Sequence, residues 1–403
     1  MQRARVSLTC TLAACCALFV TTQATSQIRM PQSQALEDAH QSLERFYAAL
    51  RRTRGGGTDA VTRVLYLGDS AVVSDGLTGE LRRRLQNRFG DSGHGFLLPG
   101  QPWVWYRHHD VRHSGEGWHY DSILHPPADR LFGLPFLLSS AAHHATATYG
   151  TMRGSGLGSR VSHIETMYLE RPNGGTFSVQ LDDTTPVTVS TAAAERRAAY
   201  HAMDFADGPH EITIRANGDG LVEMFGTVME RESAGVVLDA VGVNGAHVRN
   251  FLFAEPAMLN EHMRHRAYDL VAIQLGTNMS TNLAPARFGE QLRSLVRRIR
   301  HARPEASCLL VAPFDRRGRR ADGTPGTPPY IPAIVQQMHT VAEEFHCAFW
   351  NTYAAMGGEN SFVRWQSADL AGGDGSHLAQ AGYSHLAHLL DDAIMRGVER
   401  AAQ

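Results

Sequence analysis

The stretch Val64–Gly76, "VLYLGDSAVVSDG", runs from apolar, β-prone residues abruptly into Gly68-Asp69-Ser70. A short apolar run ending in turn residues reads as a buried strand, Thr62 to Leu67, followed by a tight loop. The next residues, Leu77 to Phe89, have helical apolar spacing, and Gly90 closes them as a C-cap. Strand, loop and helix in this order open a β/α unit. Ser70 then stands either as a nucleophile at a strand end or as an ordinary turn residue, since Gly, Asp and Ser all favour turns. The tripeptide recurs at Gly90-Asp91-Ser92, but there it follows a helix, so Ser92 reads as a loop residue.

The same rhythm returns late in the chain. Val236–Val243, Leu270–Leu275, Cys308–Ala312 and Ala348–Thr352 read as strands. Ala246–Phe253, Arg287–His301, Ile331–Phe345 and Gln380–Met395 read as helices or helix starts. Continuous apolar strands alternating with helices predict a parallel sheet covered on both faces. From Ser114 to Glu232 the texture differs. Short alternating strands are separated by turn signals such as Pro172-Asn173-Gly174-Gly175 and Ala216-Asn217-Gly218, which predicts an all-β sandwich. Upstream, Leu36, Ala39, Leu43, Phe46, Tyr47 and Leu50 predict a helix over Ser33–Arg52, ended by Gly55-Gly56-Gly57. The expected organisation is a signal peptide (1–26), an N-terminal helical segment and linker (27–57), an α/β domain in two parts (58–113 and 233–403), and an inserted β-sandwich (114–232).

Bulk properties narrow the function classes. The chain has 403 residues, 43% hydrophobic and 19% charged, with a formal net charge of -2. It contains no lysine, and no basic run suggests a nucleic-acid partner. Arg3 and Arg5 followed by the mostly apolar Val6–Val20 and the small and polar "TTQATSQ" form a secretory signal pattern, cleaved near Ala24–Gln27. It is too short for an integral membrane span, so export to a periplasmic or extracellular location is expected. Leu12-Ala13-Ala14-Cys15 resembles a lipoprotein box with Cys15 as lipid acceptor, but the apolar "CALFV" that follows Cys15 favours simple export. After removal of this segment only Cys308 and Cys347 remain. Each sits in an apolar run suited to a buried free thiol, with a single bridge as the alternative in an oxidising compartment.

In an open parallel sheet, functional groups gather beyond the carboxyl ends of the strands. Four stretches fall there: Ser70, Gly245 in "VGVNGAH", Asn278 in "QLGTN", and Asp374 and His377 in "GGDGSHLAQAGY". A serine hydroxyl needs a base, and His377 can supply one, oriented by Asp374 three residues before it. An oxyanion needs preorganised donors, for which the backbone N–H groups of Ser70 and Gly245 and the amide of Asn278 are candidates. Asn278 would serve equally as a helix N-cap, Gly245 as a backbone-shape residue and Asp374 as a cap. Such acyl-transfer chemistry calls for no cofactor. His108, His109, His113, His119, His143 and His144 lack a metal-ligand spacing and read as surface or packing residues. Trp103, Trp105, Tyr106 and Trp118 suit either core filling or sugar stacking. Arg316 and Arg317 read as solvated.

"GDS", "NGA", "GTN" and "DGSH", in order and each at a strand end, resemble the four blocks of the SGNH (GDSL-type) hydrolase superfamily. The resemblance implies a flavodoxin-like three-layer α/β/α domain with Ser70 as nucleophile, Asp374 and His377 as orienter and base, and Ser70, Gly245 and Asn278 as the oxyanion hole. "FGDSGHGFLLPG", "LLVAPFDRR" and "MGGENSFVRWQSADLAGGDGSH", together with the β insertion, are similar to exported peptidoglycan O-acetylesterases, whose inserted sandwich resembles a carbohydrate-binding module. That likeness implies an O-acetylated polysaccharide as substrate. Ala71 stands where members of that group often carry a polar residue. The competing expectations are a glycan O-acetyltransferase using the same triad, and an inactive glycan-binding protein. Oligomeric state is left open.

Overall fold

The computed structural model describes residues 34–57, 60–279 and 284–401; the signal segment and Cys15 lie outside the described residues. Five parallel strands form the central sheet: β1 (Val61–Gly68), β2 (Gly235–Gly242), β3 (Leu270–Gln274), β4 (Ser307–Val311) and β5 (Ala348–Trp350). Their spatial order is β2-β1-β3-β4-β5, the flavodoxin-like order. Side chains alternate across β1. Leu65 and Leu67 enter one buried layer with the helices Pro256–Arg266, Pro285–Ala302 and Tyr330–Phe345. Val64 and Tyr66 enter the other with Glu44–Gly55, Gly76–Phe89 and Gln380–Arg400. The three-layer architecture expected from the alternating pattern is therefore present.

The chain between the first and second parallel strands builds two antiparallel sheets. One has the order Arg197–Gly208, Val161–Glu170, Val222–Glu230, Leu137–Ala141, His119–Ser122, and Gly93–Leu97 also pairs with Val222–Glu230. The other runs Val111–Glu116, Ala145–Thr151, Glu211–Ala216, Thr176–Leu181, Val187–Ser190. They face each other across a core of Trp118, Tyr149, Ile164, Phe177, Ile214 and Met224, which makes a sandwich. Met167, Leu169, Phe225 and Val228 turn outward from it into the same buried cluster as Leu65 and Leu67 of β1. An ion cluster reinforces this join. Glu230 of the sandwich pairs with Arg63 of β1 at 2.6 Å and with Arg266 at 2.8 Å, and Arg266 also pairs with Asp239 of β2 at 3.0 Å. Burial raises the Glu230 pKa, but the two guanidinium groups outweigh it and hold the carboxyl down at about 2.

Three expectations need correction. The first helix covers Glu44–Gly55 and does not begin at Ser33. Glu37 instead forms an antiparallel bridge with Phe349 of β5, and the Asp38 carboxylate accepts from the N–H groups of Ser42 (2.6 Å) and Leu43 (3.1 Å). The region after Ala246 holds a single turn, Val248–Phe251, and then a separate helix, Pro256–Arg266. Glu255 caps that helix by accepting from Ala257 and Met258 N–H. Finally, Cys308 and Cys347 are not free thiols: they form a disulfide with Cα atoms 4.7 Å apart. Their strands β4 and β5 are neighbours, with Leu309 opposite Ala348, so the register sets the two cysteines side by side.

The bridge spans 39 residues, and a loop of that size restricts the unfolded chain by about 4 kcal/mol. Replacing both cysteines by Ala is expected to lower the thermal midpoint by several degrees, and reductant should shift the wild type equally. An unchanged midpoint in both measurements would mean that the bridge contributes nothing.

Candidate active site

The site is built at the carboxyl edge of the parallel sheet. Gly68 lies in register with Gly242 of β2 and with Gln274 of β3, so three adjacent strands end at one level. Ser70, Gly245 and Asn278 follow those three ends. A Cβ on Gly68 would lie 2.8 Å from the Gln274 carbonyl oxygen, and one on Gly242 would lie 2.8 Å from both Asp69 O and Val73 N. Only glycine permits so close a packing of the turn against the sheet. Ser70 therefore opens a one-turn helix, Ser70–Val73, seated on the strand ends, and first-turn N–H groups have no acceptor inside their own helix.

Asp69 precedes this turn and is buried. Its Oδ1 accepts from the Ala71 N–H at 3.1 Å, while Oδ2 has no hydrogen-bond partner. Burial pushes the carboxyl up to about 6, against the opposing effects of the Ala71 N–H and of His377. Ala71 itself packs in the core beside Val72 and Leu77, away from the pocket. Beyond the turn, Asp75 is buried and forms a bidentate ion pair with Arg82 (2.7 and 3.1 Å), which also reaches Asp110 at 3.4 Å. This network clamps the turn to the following helix.

His377 comes from the far end of the chain. Its Nε2 lies 2.9 Å from the Ser70 hydroxyl and its Nδ1 lies 2.6 Å from Asp374 Oδ2. The other oxygen of Asp374 accepts from the N–H groups of Ser376 (2.8 Å) and His377 (2.9 Å), so the carboxylate shapes the loop and orients the ring together. Burial raises the Asp374 pKa, but hydrogen bonds from the His377 ring, the His377 N–H and the Ser376 N–H outweigh it and hold the carboxyl below its ordinary value. With a carboxylate at Nδ1, that nitrogen keeps its proton and Nε2 is left to accept from serine. Gly373 and Gly375 surround this loop, and the Gly375 carbonyl receives the Arg317 N–H at 2.9 Å.

Gly245 sits in an exposed turn with φ +77, and a Cβ there would meet nothing within 4 Å. Asn278 occupies the turn after β3. Its amide donates to the Ala246 carbonyl at 3.2 Å, tying the β2 and β3 turns together, and one amide N–H remains. The neighbouring helix starts at Pro285 with Ala284 at its cap, so Asn278 does not cap it. Arg316 is half-buried and donates to the Thr277 carbonyl at 2.8 Å; Arg317 is exposed.

A cavity of about 240 Å³ opens over the serine, lined by Ser70, Ser74, Trp105, Asn244, Asp374, His377, Leu378 and Tyr383. Ser74, Asn244, Leu378 and Tyr383 were not singled out in the sequence. Asn244 adjoins Gly245 and could have been found from that adjacency, whereas nothing local distinguishes Tyr383 from a core tyrosine. Ser92 is remote from this cavity: it is fully buried, and its hydroxyl donates to the Ser233 carbonyl. His108 is buried with Nε2 2.9 Å from the His94 carbonyl; His109 and His113 are half-buried; His119, His143 and His144 are exposed. Among the described residues no group of three or more His, Cys, Asp or Glu is placed to share a metal ion.

Residues 205–385 match the family model described as the GDSL-like Lipase/Acylhydrolase family. That span contains Gly245, Asn278, Asp374 and His377 but not Ser70, which meets His377 only in space. One solved structure, described as "Peptidoglycan O-acetylesterase in action, 5 min", is 25% identical, with 91% of this chain and 99% of that chain covered and a TM-score of 0.76. Another, a family two carbohydrate esterase from Cellvibrio japonicus, is 10% identical over 72% of this chain and 99% of that chain; its TM-score of 0.29 is too low to bear on function. No curated protein sequence matches. Residues 205–385 thus carry a GDSL-like lipase/acylhydrolase domain, and the chain is a hydrolase acting on ester bonds.

The Asp69 carboxyl gives the site a pH signature in stability. Its pKa of about 6 lies above its ordinary 3.8, so the folded state binds the proton more tightly than the unfolded state. The charged form therefore weakens the fold: the deficit is absent below about pH 4, grows as pH rises through 4–6, and is complete above 6. Asp69→Asn keeps the accepting oxygen without the charge. Its thermal midpoint relative to wild type is expected to rise between pH 4 and pH 7, and a difference independent of pH would contradict this.

Proposed function

We propose that this chain is an exported serine esterase that removes O-acetyl groups from a cell-wall or other extracellular glycan, peptidoglycan first. The observation that carries the reading is the continuous hydrogen-bonded chain Ser70–His377–Asp374, 2.9 and 2.6 Å long, at the floor of a 240 Å³ cavity. The likeness to a peptidoglycan O-acetylesterase over nearly the whole chain supports the substrate class. The Cys308–Cys347 bridge supports an oxidising compartment, in keeping with the N-terminal export pattern. In this reading 58–113 and 233–403 frame the hydrolase domain and 114–232 is the bulk of an inserted module beside it, to whose sheets Gly93–Leu97 and Val111–His113 also pair.

The Ser70 hydroxyl attacks the acetyl carbonyl as His377 Nε2 takes its proton. Asp374 stabilises the imidazolium that forms. The tetrahedral oxyanion is held by the Ser70 N–H, the Gly245 N–H and the remaining N–H of Asn278. Collapse breaks the ester C–O bond, His377 returns the proton to the departing sugar oxygen, and acetyl-Ser70 remains. Water, deprotonated by His377, then attacks the acetyl-enzyme, releases acetate and restores the serine. A glycan O-acetyltransferase would share the first half and pass the acetyl group to a second hydroxyl in place of water.

Acetate release from O-acetylated peptidoglycan and from an aryl acetate tests this directly. Ser70→Ala is expected to lower kcat by at least about 10³-fold, whereas Ser92→Ala should retain wild-type kcat. Comparable activity in Ser70→Ala would overturn the mechanism. Acetyl transfer to an added saccharide, with little free acetate, would favour the transferase.

A further inference from the structure

Single apolar side chains on a surface are ordinary, but adjacent large ones exposed at the mouth of a pocket ask for a reason. Among the described residues the exposed large hydrophobics are Val104, Trp105, Val187 and Val363. Two of the four are consecutive, and Trp105, 65% exposed, lines the cavity over Ser70 and His377. The other aromatic residues of this stretch behave differently: Tyr106 and Trp118 are buried and Trp103 is half-buried against the core.

The segment is braced rather than loose. Tyr106 anchors it in the core, its hydroxyl accepting from the Leu98 N–H at 2.8 Å. The Val104 carbonyl receives Gln101 Nε2 at 3.0 Å and Arg107 Nη1 at 2.8 Å. The Arg107 N–H reaches back to the Val73 carbonyl at 3.1 Å, at the end of the short helix that begins with Ser70. The backbone that carries the indole is thus tied to the nucleophile's own turn, and much of the ring's surface is uncovered. The remaining walls divide into apolar Leu378 and Tyr383 and polar Ser74, Asn244 and Asp374. At about 240 Å³ the cavity has the volume of roughly eight waters, more than an acetyl group fills.

We propose that Trp105 is the platform on which the acylated sugar ring stacks, placing its ester over Ser70. An indole face suits the C–H face of a pyranose, combining a large contact area with few rotatable bonds. Trp105 then determines specificity: it binds the sugar, while small esters without a ring gain far less from it. The inference rests on the glycan-esterase reading of the same site.

Two measurements separate the two. Steady-state acetate release is compared for ethyl acetate and for O-acetylated peptidoglycan fragments with wild type, Trp105→Ala and Trp105→Phe. Trp105→Ala is expected to raise KM on the fragments by at least about tenfold, with kcat little changed and a several-fold smaller effect on ethyl acetate; Trp105→Phe should recover most of the loss. Equal losses on both esters, or none on either, would overturn the proposal. Tryptophan fluorescence of Ser70→Ala is titrated with N-acetylglucosamine oligosaccharides, which need no hydrolysis. A saturable change that disappears in Ser70→Ala/Trp105→Phe supports the platform even where the wild type releases no acetate from the fragments, an outcome that would remove the peptidoglycan substrate alone. Fluorescence changes equal in both proteins would count against Trp105.

Discussion

Everything in the site depends on one backbone constraint: Gly68, Gly242 and Gln274 stand in register on three adjacent parallel strands. The two glycines let the turn that begins at Asp69 settle directly onto the sheet. A side chain at either would push against carbonyl or amide groups that cannot move without breaking the ladder. Because the turn sits so close, Ser70 emerges level with the β2 and β3 turns. The Asn278–Ala246 hydrogen bond then holds those turns to each other. The cost is visible next door, where Asp69 is buried with one carboxylate oxygen unpartnered. A destabilised residue beside a proposed nucleophile fits a fold that gives up stability where chemistry is done.

The sandwich is fastened to this sheet by more than its linkers. Apolar residues of both share one buried cluster, and the Arg63–Glu230–Arg266–Asp239 cluster crosses the join. Asp239 also accepts from the Phe96 N–H at 2.9 Å and the Tyr268 hydroxyl at 2.5 Å, so every charged group there is answered. Buried ion pairs of this kind contribute little net stability, but losing one member strands the others. Their effect is geometric: they hold the sandwich in one orientation on the hydrolase sheet. The Asp75–Arg82–Asp110 network does the same for the helix after Ser70.

The parallel strands and the candidate-site stretches at their ends were legible in the sequence because they obey local rules. "VLYLGDS" is apolar until it must turn, and the chemistry-bearing residues sit where each strand stops. What escaped depends on partners distant in the chain. Leu36, Ala39 and Leu43 keep helical spacing, yet Glu37 pairs with Phe349 and Asp38 caps a turn, so tertiary contacts override the pattern. Cys308 and Cys347 each look like a buried thiol until β4 and β5 are known to be neighbours. The helix Pro256–Arg266 has a weakly divided apolar face, which hid it, although Glu255-Pro256 is a sound start signal. Of the aromatics near residue 105, sequence could not say which one is exposed, because that follows from how Tyr106 and Trp103 pack.

The central claim is that Ser70 is the activated nucleophile, and covalent labelling addresses it most directly. Incubation of the native protein with an active-site-directed fluorophosphonate, followed by peptide mapping, should give one adduct, on the peptide carrying Gly68-Asp69-Ser70, with the Gly90-Asp91-Ser92 peptide unmodified. Labelling is expected to slow greatly when His377 is replaced by Ala. An adduct on another serine, or full esterase inactivation with Ser70 unmodified, would contradict the account.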